Sequence, residues 1–424
     1  MRRRFCTHAI LLTIVLTTFS PTHAAEDDVR LLIRPSRVEA VIDCTGDFAG
    51  LAAKHGAILR WASDHGWEPV GPSESVYLTD ATTPVAKRRS QARVPLNIYG
   101  NVLPTVSGGA EQVRLERRPA ELVLTTQHRG PLTQILPAYE RVRERLSALK
   151  LRAPGPMHEI YLRDATQVTA SELLTEVQYR VEPIGPVDVG IYVGAGAFAK
   201  EISAASLCFS SDGLRVRPIT ATEIRDGSFA KQMRAIYFPG GWAEHYVRDV
   251  GSEGAEKLRA FVESGGGYLG VCAGSFFAAK RIHWAGADLD YNLDLFPGTP
   301  TGPLVDIATW PNYCMTTVKV VGKHPITRKR GGKRSVLYYG GPSLRPAKGS
   351  EVSVLATYAT GDPAMVAFQR GKGRVFLSSA HIDYDLTSDR DGTDWPEREK
   401  GIDDKESDWD LLQSAARWVL DARN

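Results

Sequence analysis

The stretch Gly265-Gly266-Gly267-Tyr268-Leu269-Gly270-Val271-Cys272-Ala273-Gly274-Ser275-Phe276 constrains the architecture of this chain more than any other. A run from Lys257 to Ser264, with Leu258, Phe261 and Val262 at helical spacing, leads into it. Three glycines stop that helix. Tyr268 to Val271 is short and apolar and reads as a buried strand, and the residues from Ser275 on are helical in character. The result is Gly-x-Cys-x-Gly on a strand-to-helix turn, a nucleophile elbow with sulfur in place of oxygen. Glycines flank the cysteine because side chains there would crowd so sharp a turn. The turn points the thiol at the following helix N-terminus, whose dipole favours the thiolate. A buried structural cysteine before a tight turn has the same local pattern, so the motif alone leaves both roles open.

The surrounding pattern predicts an α/β fold with a mostly parallel, doubly wound sheet. Val189 to Gly194, Leu214 to Ile219, Ala235 to Phe238 and Tyr268 to Val271 read as strands, with helices at Phe198 to Phe209 and Lys257 to Ser264 between them. Sites in such sheets lie at the carboxyl ends of strands, where Gly194, Gly240 and Cys272 all fall. A later strand, Arg374 to Ser379, ends in Ala380-His381-Ile382-Asp383. Extended-chain alternation puts His381 and Asp383 on one side.

Tyr192-Val193-Gly194-Ala195-Gly196, Phe238-Pro239-Gly240-Gly241-Trp242, the elbow, Phe296-Pro297-Gly298 and Gly302-Pro303 together resemble the class I glutamine amidotransferase superfamily. The pattern looks closest to the amidotransferase-like domain at the N-terminus of biotin–protein ligases, from about Val187 to the end. The superfamily implies a catalytic cysteine, here Cys272, and a late-strand His-x-Glu. Here that reads His381-x-Asp383, one methylene shorter. Acyl-transfer chemistry then assigns attack to Cys272, proton transfer to His381 and tautomer control to Asp383. The backbone amides of Gly241 and Ala273 are the candidate oxyanion donors. Gly240 and Trp242 are candidates for substrate contact. Trp242, Glu244, His245 and Tyr246 follow the Gly240-Gly241 loop as candidates for shaping a substrate pocket, and a plain surface loop is the favoured reading of all four.

The first half contains a repeat. Residues 67–81 match residues 151–165 at an offset of 84, with Gly71/Gly155, Pro72/Pro156, Tyr77/Tyr161, Leu78/Leu162 and Asp80/Asp164 identical. Each copy reads strand, helix, Gly-Pro turn, strand, strand, over about 35–98 and 118–183. One unit cannot cover its own apolar face, so two are expected to pack into one α+β domain. The segments Gln127-His128-Arg129-Gly130-Pro131, Tyr139 to Leu149, Gly155-Pro156, Glu159-Ile160-Tyr161 and Glu176-Val177-Gln178 resemble the gyrase-inhibitor-like effector-binding domain. That resemblance implies a cleft for a lipophilic small molecule and suggests Tyr77, Tyr161, Glu74 and Glu159 as lining residues. Core packing accounts for the tyrosines equally well. Residues 25–183 are thus expected to form the first domain, 184–187 a linker and 188–424 the second domain.

Met1 to Ala24 reads as a secretory signal, with Arg2, Arg3 and Arg4 before an apolar core, Ala9 to Phe19, too short to span a bilayer. Its removal predicts a periplasmic or extracellular protein. The whole chain has 52 Lys and Arg against 49 Asp and Glu, so losing three arginines leaves the two signs balanced. Such a chain gives no electrostatic case for nucleic acid, and no later stretch predicts a membrane span. The remaining cysteines, Cys44, Cys208, Cys272 and Cys314, lack both a disulfide framework and zinc-site spacing. No metal or cofactor is expected. The partner expected is a small-molecule or peptide substrate of a cysteine-dependent amidase or hydrolase. A non-catalytic ligand-binding protein, and hydrolysis by the first half through Glu159 and Tyr161, are the alternatives. The resemblance does not imply biotin transfer, because no ligase catalytic region is recognisable.

Overall fold

The computed structural model describes residues 29–423 except 81, 99–101, 105–111, 164–167 and 384–406. The expected signal segment lies outside the described residues.

The repeated unit of the first half appears as β2 (Arg37–Thr45), α1 (Leu51–Asp64), β3 (Glu74–Tyr77) and β4 (Arg89–Leu96). It recurs as β6 (Glu121–Arg129), α2 (Leu136–Ala148), β7 (Met157–Arg163) and β8 (Leu174–Arg180). Two strands not read from the sequence, β1 (Arg30–Arg34) and β5 (Arg114–Arg118), close the edges. All eight form one antiparallel sheet in the order β1-β6-β8-β7-β3-β4-β2-β5, with the two copies meeting where β3 pairs with β7. Helix α1 forms because His55, Ile58, Trp61 and Ala62 make one buried stripe, which packs on Ala40, Ile42, Ala92 and Val94.

The second half is α/β. Its elements are β9 (Val187–Tyr192), α3 (Ala199–Ser211), β10 (Val216–Ile219), α4 (Ala221–Asp226), β11 (Met233–Phe238), α5 (Ala243–Glu263), β12 (Gly267–Val271) and α6 (Ala273–Phe277). There follow β13 (Cys314–Val320), β14 (Gly332–Tyr338), β15 (Val352–Tyr358), β16 (Pro363–Arg370), β17 (Gly373–Ser378) and α7 (Trp409–Leu420). The nine-stranded sheet runs β10-β9-β11-β12-β17-β16-β15-β13-β14. The first five strands are parallel and the last four add antiparallel, so the sheet is mixed rather than mostly parallel. The antiparallel part comes from the stretch between elbow and histidine, where long-range pairing leaves no local signature. Helices α3 and α7 pack with Val189, Ile191, Tyr237, Leu269 and Phe376, whereas α4, α5 and α6 pack with Tyr192, Ile236, Phe238, Tyr268 and Val375.

Val187, placed in the linker, begins β9. Residues Glu244, His245 and Tyr246 are helical rather than looped, because Ala243, Tyr246 and Val250 form a buried stripe. Gly251, at φ 67°, kinks α5 and hides its continuity in the sequence.

Helix α3 touches both sheets. Edge strands expose unpaired backbone groups, and three α3 serines satisfy those of β1. Ser206 Oγ accepts from the Ile33 amide at 2.8 Å, while Ser203 Oγ donates to the Ile33 carbonyl at 2.9 Å and Ser210 Oγ to the Leu31 carbonyl at 2.6 Å. One apolar core runs from Ile33, Leu122 and Val177 through Ile202, Ala205 and Phe209 to Val189 and Tyr237.

Candidate functional site

Cys272 follows β12 with φ 47° and ψ −103°, a conformation that costs a non-glycine residue free energy and marks a strained elbow. Its amide donates to the Ser378 carbonyl at 2.8 Å, which ties the turn to β17. Ser275 Oγ donates to the carbonyls of Gly270 and Ser378 at 2.9 and 2.7 Å. A Cβ on Gly274 would lie 2.2 Å from the Phe238 carbonyl oxygen, so this flank of the elbow admits only glycine. Cys272 is 6% exposed, and its Sγ contacts the Tyr339 carbonyl at 3.5 Å.

His381 lies just past β17, where its amide donates to the Leu337 carbonyl at 3.0 Å. Its ring is buried near the Cys272 thiol and beside a carboxylate the sequence did not suggest. That carboxylate is Glu201, on the first turn of α3, whose Oε1 lies 3.1 Å from His381 Nδ1. The other Glu201 oxygen accepts from the Gly240 amide. Burial opposes a charge on the imidazole, but Glu201 and Cys272 outweigh it and hold the ring well above the usual histidine range.

Asp383 sits close by, its ligand atom within 4.8 Å of those of Glu201 and His381. Its hydrogen-bond partner is the Tyr237 hydroxyl, which donates to Oδ2 at 2.7 Å, and Trp409 Nε1 donates to its backbone carbonyl at 2.9 Å. Burial, reinforced by the charge on Glu201, pushes its carboxyl up to about 7. An unfolded aspartate titrates near 4. Between roughly pH 4 and 7 the folded chain therefore keeps a proton that the unfolded chain has released, and stability falls as pH rises across that window. Asp383→Asn removes this ionisation. Its unfolding free energy is expected to vary less than the wild type's between pH 4 and 7, by a few kcal/mol, checked by urea titration across the window.

Gly240 is not free to meet a substrate through a side chain or its amide. A Cβ there would lie 2.2 Å from Glu201 Oε2, so glycine lets the carboxylate pack against the backbone. Gly241 has φ 137°, and a Cβ on it would meet the Gly196 carbonyl oxygen at 1.9 Å. Gly241→Ala is expected to lower stability by about 3 kcal/mol, read as a loss of Tm. Among the described residues, neither the Gly241 amide nor the Ala273 amide donates to an acceptor. Trp242 is the N-cap residue just before α5, is 46% exposed, and packs edge-on against Trp310 at 5.5 Å. Trp310 stacks on Tyr339 at 5.1 Å, and Tyr339 lies 6.4 Å from the His381 ring, so aromatic rings lead from the surface to the histidine. A cavity of about 380 Å³ lies elsewhere, lined by Gly298, Thr301, Ser343, Arg345 and Asp362 among others.

In the first half, Tyr77 and Tyr161 donate to Glu159 Oε2 at 2.6 and 3.0 Å, and Tyr139, not suggested by the sequence, donates to Oε1. Glu159 is buried among them. Glu74 is not part of this group. Strand alternation puts it on the opposite face, where it engages Arg37, Arg118 and His158, and Ser75 takes the place beside Glu159. The repeat offset of 84 signals this, since it aligns Ser75, not Glu74, with Glu159.

An α/β sheet with a strained cysteine elbow and a buried histidine defines an enzyme-like fold. The family model for the N-terminal region of biotin–protein ligase matches residues 187–411, more than half of the chain, and the chain belongs to that family. A biotin–protein ligase of Schizosaccharomyces pombe is 26% identical over 184 residues, which cover 40% of this chain and 28% of the relative. An uncharacterized protein of Chlamydia muridarum is 31% identical over 170 residues, 38% of this chain and 64% of the relative. The chain thus spans less than two thirds of either relative's length. A solved glutamine amidotransferase aligns at 19% identity and a TM-score of 0.36 over 54% of this chain and 98% of its own.

Proposed function

We propose that this protein is an exported, cysteine-dependent amide hydrolase of the acyl-transfer type, with a small-molecule-binding first half. The observation that carries the reading is a thiol on a strained elbow against an imidazole that is itself held by a buried carboxylate. Cys272 would attack the carbonyl, His381 would take its proton and return it to the leaving amine, and Glu201 would fix the ring. Glu201 takes the orienting role expected of Asp383 because its carboxylate is the one in contact with Nδ1. The amides of Gly241 and Ala273 are the candidates for the oxyanion, and the aromatic surface from Trp242 to Tyr339 for the substrate. An amide and peptide library tests the reading: turnover by the wild type that Cys272→Ala retains would reject it.

A second reading concerns the first half alone. A buried carboxylate ringed by three tyrosines suits a lipophilic cation, which would exchange those hydroxyl contacts for charge and ring contacts. Tetraphenylphosphonium is expected to quench tyrosine emission of the wild type and to bind Glu159→Gln at least tenfold more weakly; equal binding would reject this reading.

A further inference from the structure

Two carboxylates sit fully buried beside one imidazole at the centre of the second half. Among the described residues, no lysine or arginine pairs with either acid. Burying two carboxylates against a single imidazolium leaves a negative charge that a low-dielectric interior does not tolerate unbalanced. The counter-charge is therefore another proton or a metal ion.

We propose that Glu201, His381 and Asp383 form a binding site for a divalent transition-metal ion. One nitrogen and two carboxylates, brought together from α3 and the end of β17, offer ligand atoms within 4.8 Å of one another. Imidazole and carboxylate both ligate divalent first-row metals, zinc among them, and three protein ligands leave a further position open. A second observation points the same way. Asp383 Oδ1 is sealed from solvent and accepts no hydrogen bond among the described residues, although its partner oxygen is held by Tyr237. The surroundings already fix the ligands as an outer shell does: the Gly240 amide holds Glu201, and Tyr237 and Trp409 hold Asp383.

Zinc here displaces the protons that otherwise balance the acids, so it binds more tightly as pH rises. The titratable groups that face the cluster are Cys272 on the elbow, Tyr237 on β11, Tyr246 on α5 and Cys208 on α3, and all are neutral when protonated. Because the metal takes His381, its binding and proton transfer from Cys272 exclude each other. The site itself does not rest on the acyl-transfer reading.

The test is titration of chelator-stripped full chain with zinc chloride by calorimetry, in a Cys44→Ser, Cys314→Ser background that removes the two part-exposed thiols. One zinc per chain is expected, bound at least about tenfold more weakly at pH 6 than at pH 8 and at least about tenfold more weakly by Asp383→Asn. Cys272→Ala, which cannot perform acyl transfer, is expected to keep the site. Should Asp383→Asn fail to fold, His381→Ala is the second variant, with the same expected loss. Unchanged affinity in a folded Asp383 or His381 variant, or loss of binding in Cys272→Ala, would overturn the proposal.

Discussion

Cys272→Ala is expected to abolish amide turnover, lowering kcat by roughly 10⁴-fold or more, while the chain stays folded. The size follows from role. A nucleophile that forms the acyl intermediate cannot be replaced by its neighbours, and only preset donors and binding are left to help water attack. Its fold should survive because the elbow is held from outside the cysteine side chain. The Cys272 amide on Ser378, the Ser275 hydroxyl on Gly270 and Ser378, and the Gly274 contact with β11 all persist without sulfur. Measuring kcat together with Tm separates the two effects. A loss of turnover that tracks a loss of Tm would assign Cys272 to structure.

Glu201→Gln is expected to lower kcat by about 10³-fold, and Asp383→Asn by no more than about tenfold. Glu201 places one oxygen on His381 Nδ1 and the other on the Gly240 amide. An amide in its place must present its NH₂ either to the ring nitrogen or to a backbone N–H, and each choice puts two donors face to face. The first gives the wrong tautomer for a base. Asp383 bonds instead to Tyr237, and the ring's ion pair is with Glu201. Steady-state kinetics of the two variants on one substrate decides between the carboxylates. An Asp383→Asn loss exceeding that of Glu201→Gln would return the orienting role to Asp383.

Much of the site was readable in the chain because its parts are local. Gly270, Cys272 and Gly274 announce the elbow, and a strand ending in Ala380-His381 announces the histidine. Glu201 was not readable as a partner, because it reaches His381 only through the crossing of α3 beside the end of β11. A signal existed even so. Glu201 shares the buried stripe of Ala205, Cys208 and Phe209 at helical spacing, and a glutamate on an apolar stripe calls for a partner. The serines Ser203, Ser206 and Ser210 form a second stripe, which reads as polar surface until β1 is placed against it. Edge strand β5 was missed for the opposite reason, since Arg114-Leu115-Glu116-Arg117-Arg118 is charged and its pairs with Asp43, Arg93, Glu39 and Glu74 form only across the finished sheet.

The most direct test of the central claim is the rate at which iodoacetamide alkylates Cys272 at pH 7, followed site by site by mass spectrometry with Cys44 and Cys314 as internal references. A thiol paired with His381 and steadied by Glu201 should react at least about tenfold faster than those references and should lose that advantage in Glu201→Gln. Alkylation of Cys272 no faster than of Cys44 and Cys314, or a rate indifferent to Glu201, would contradict the account.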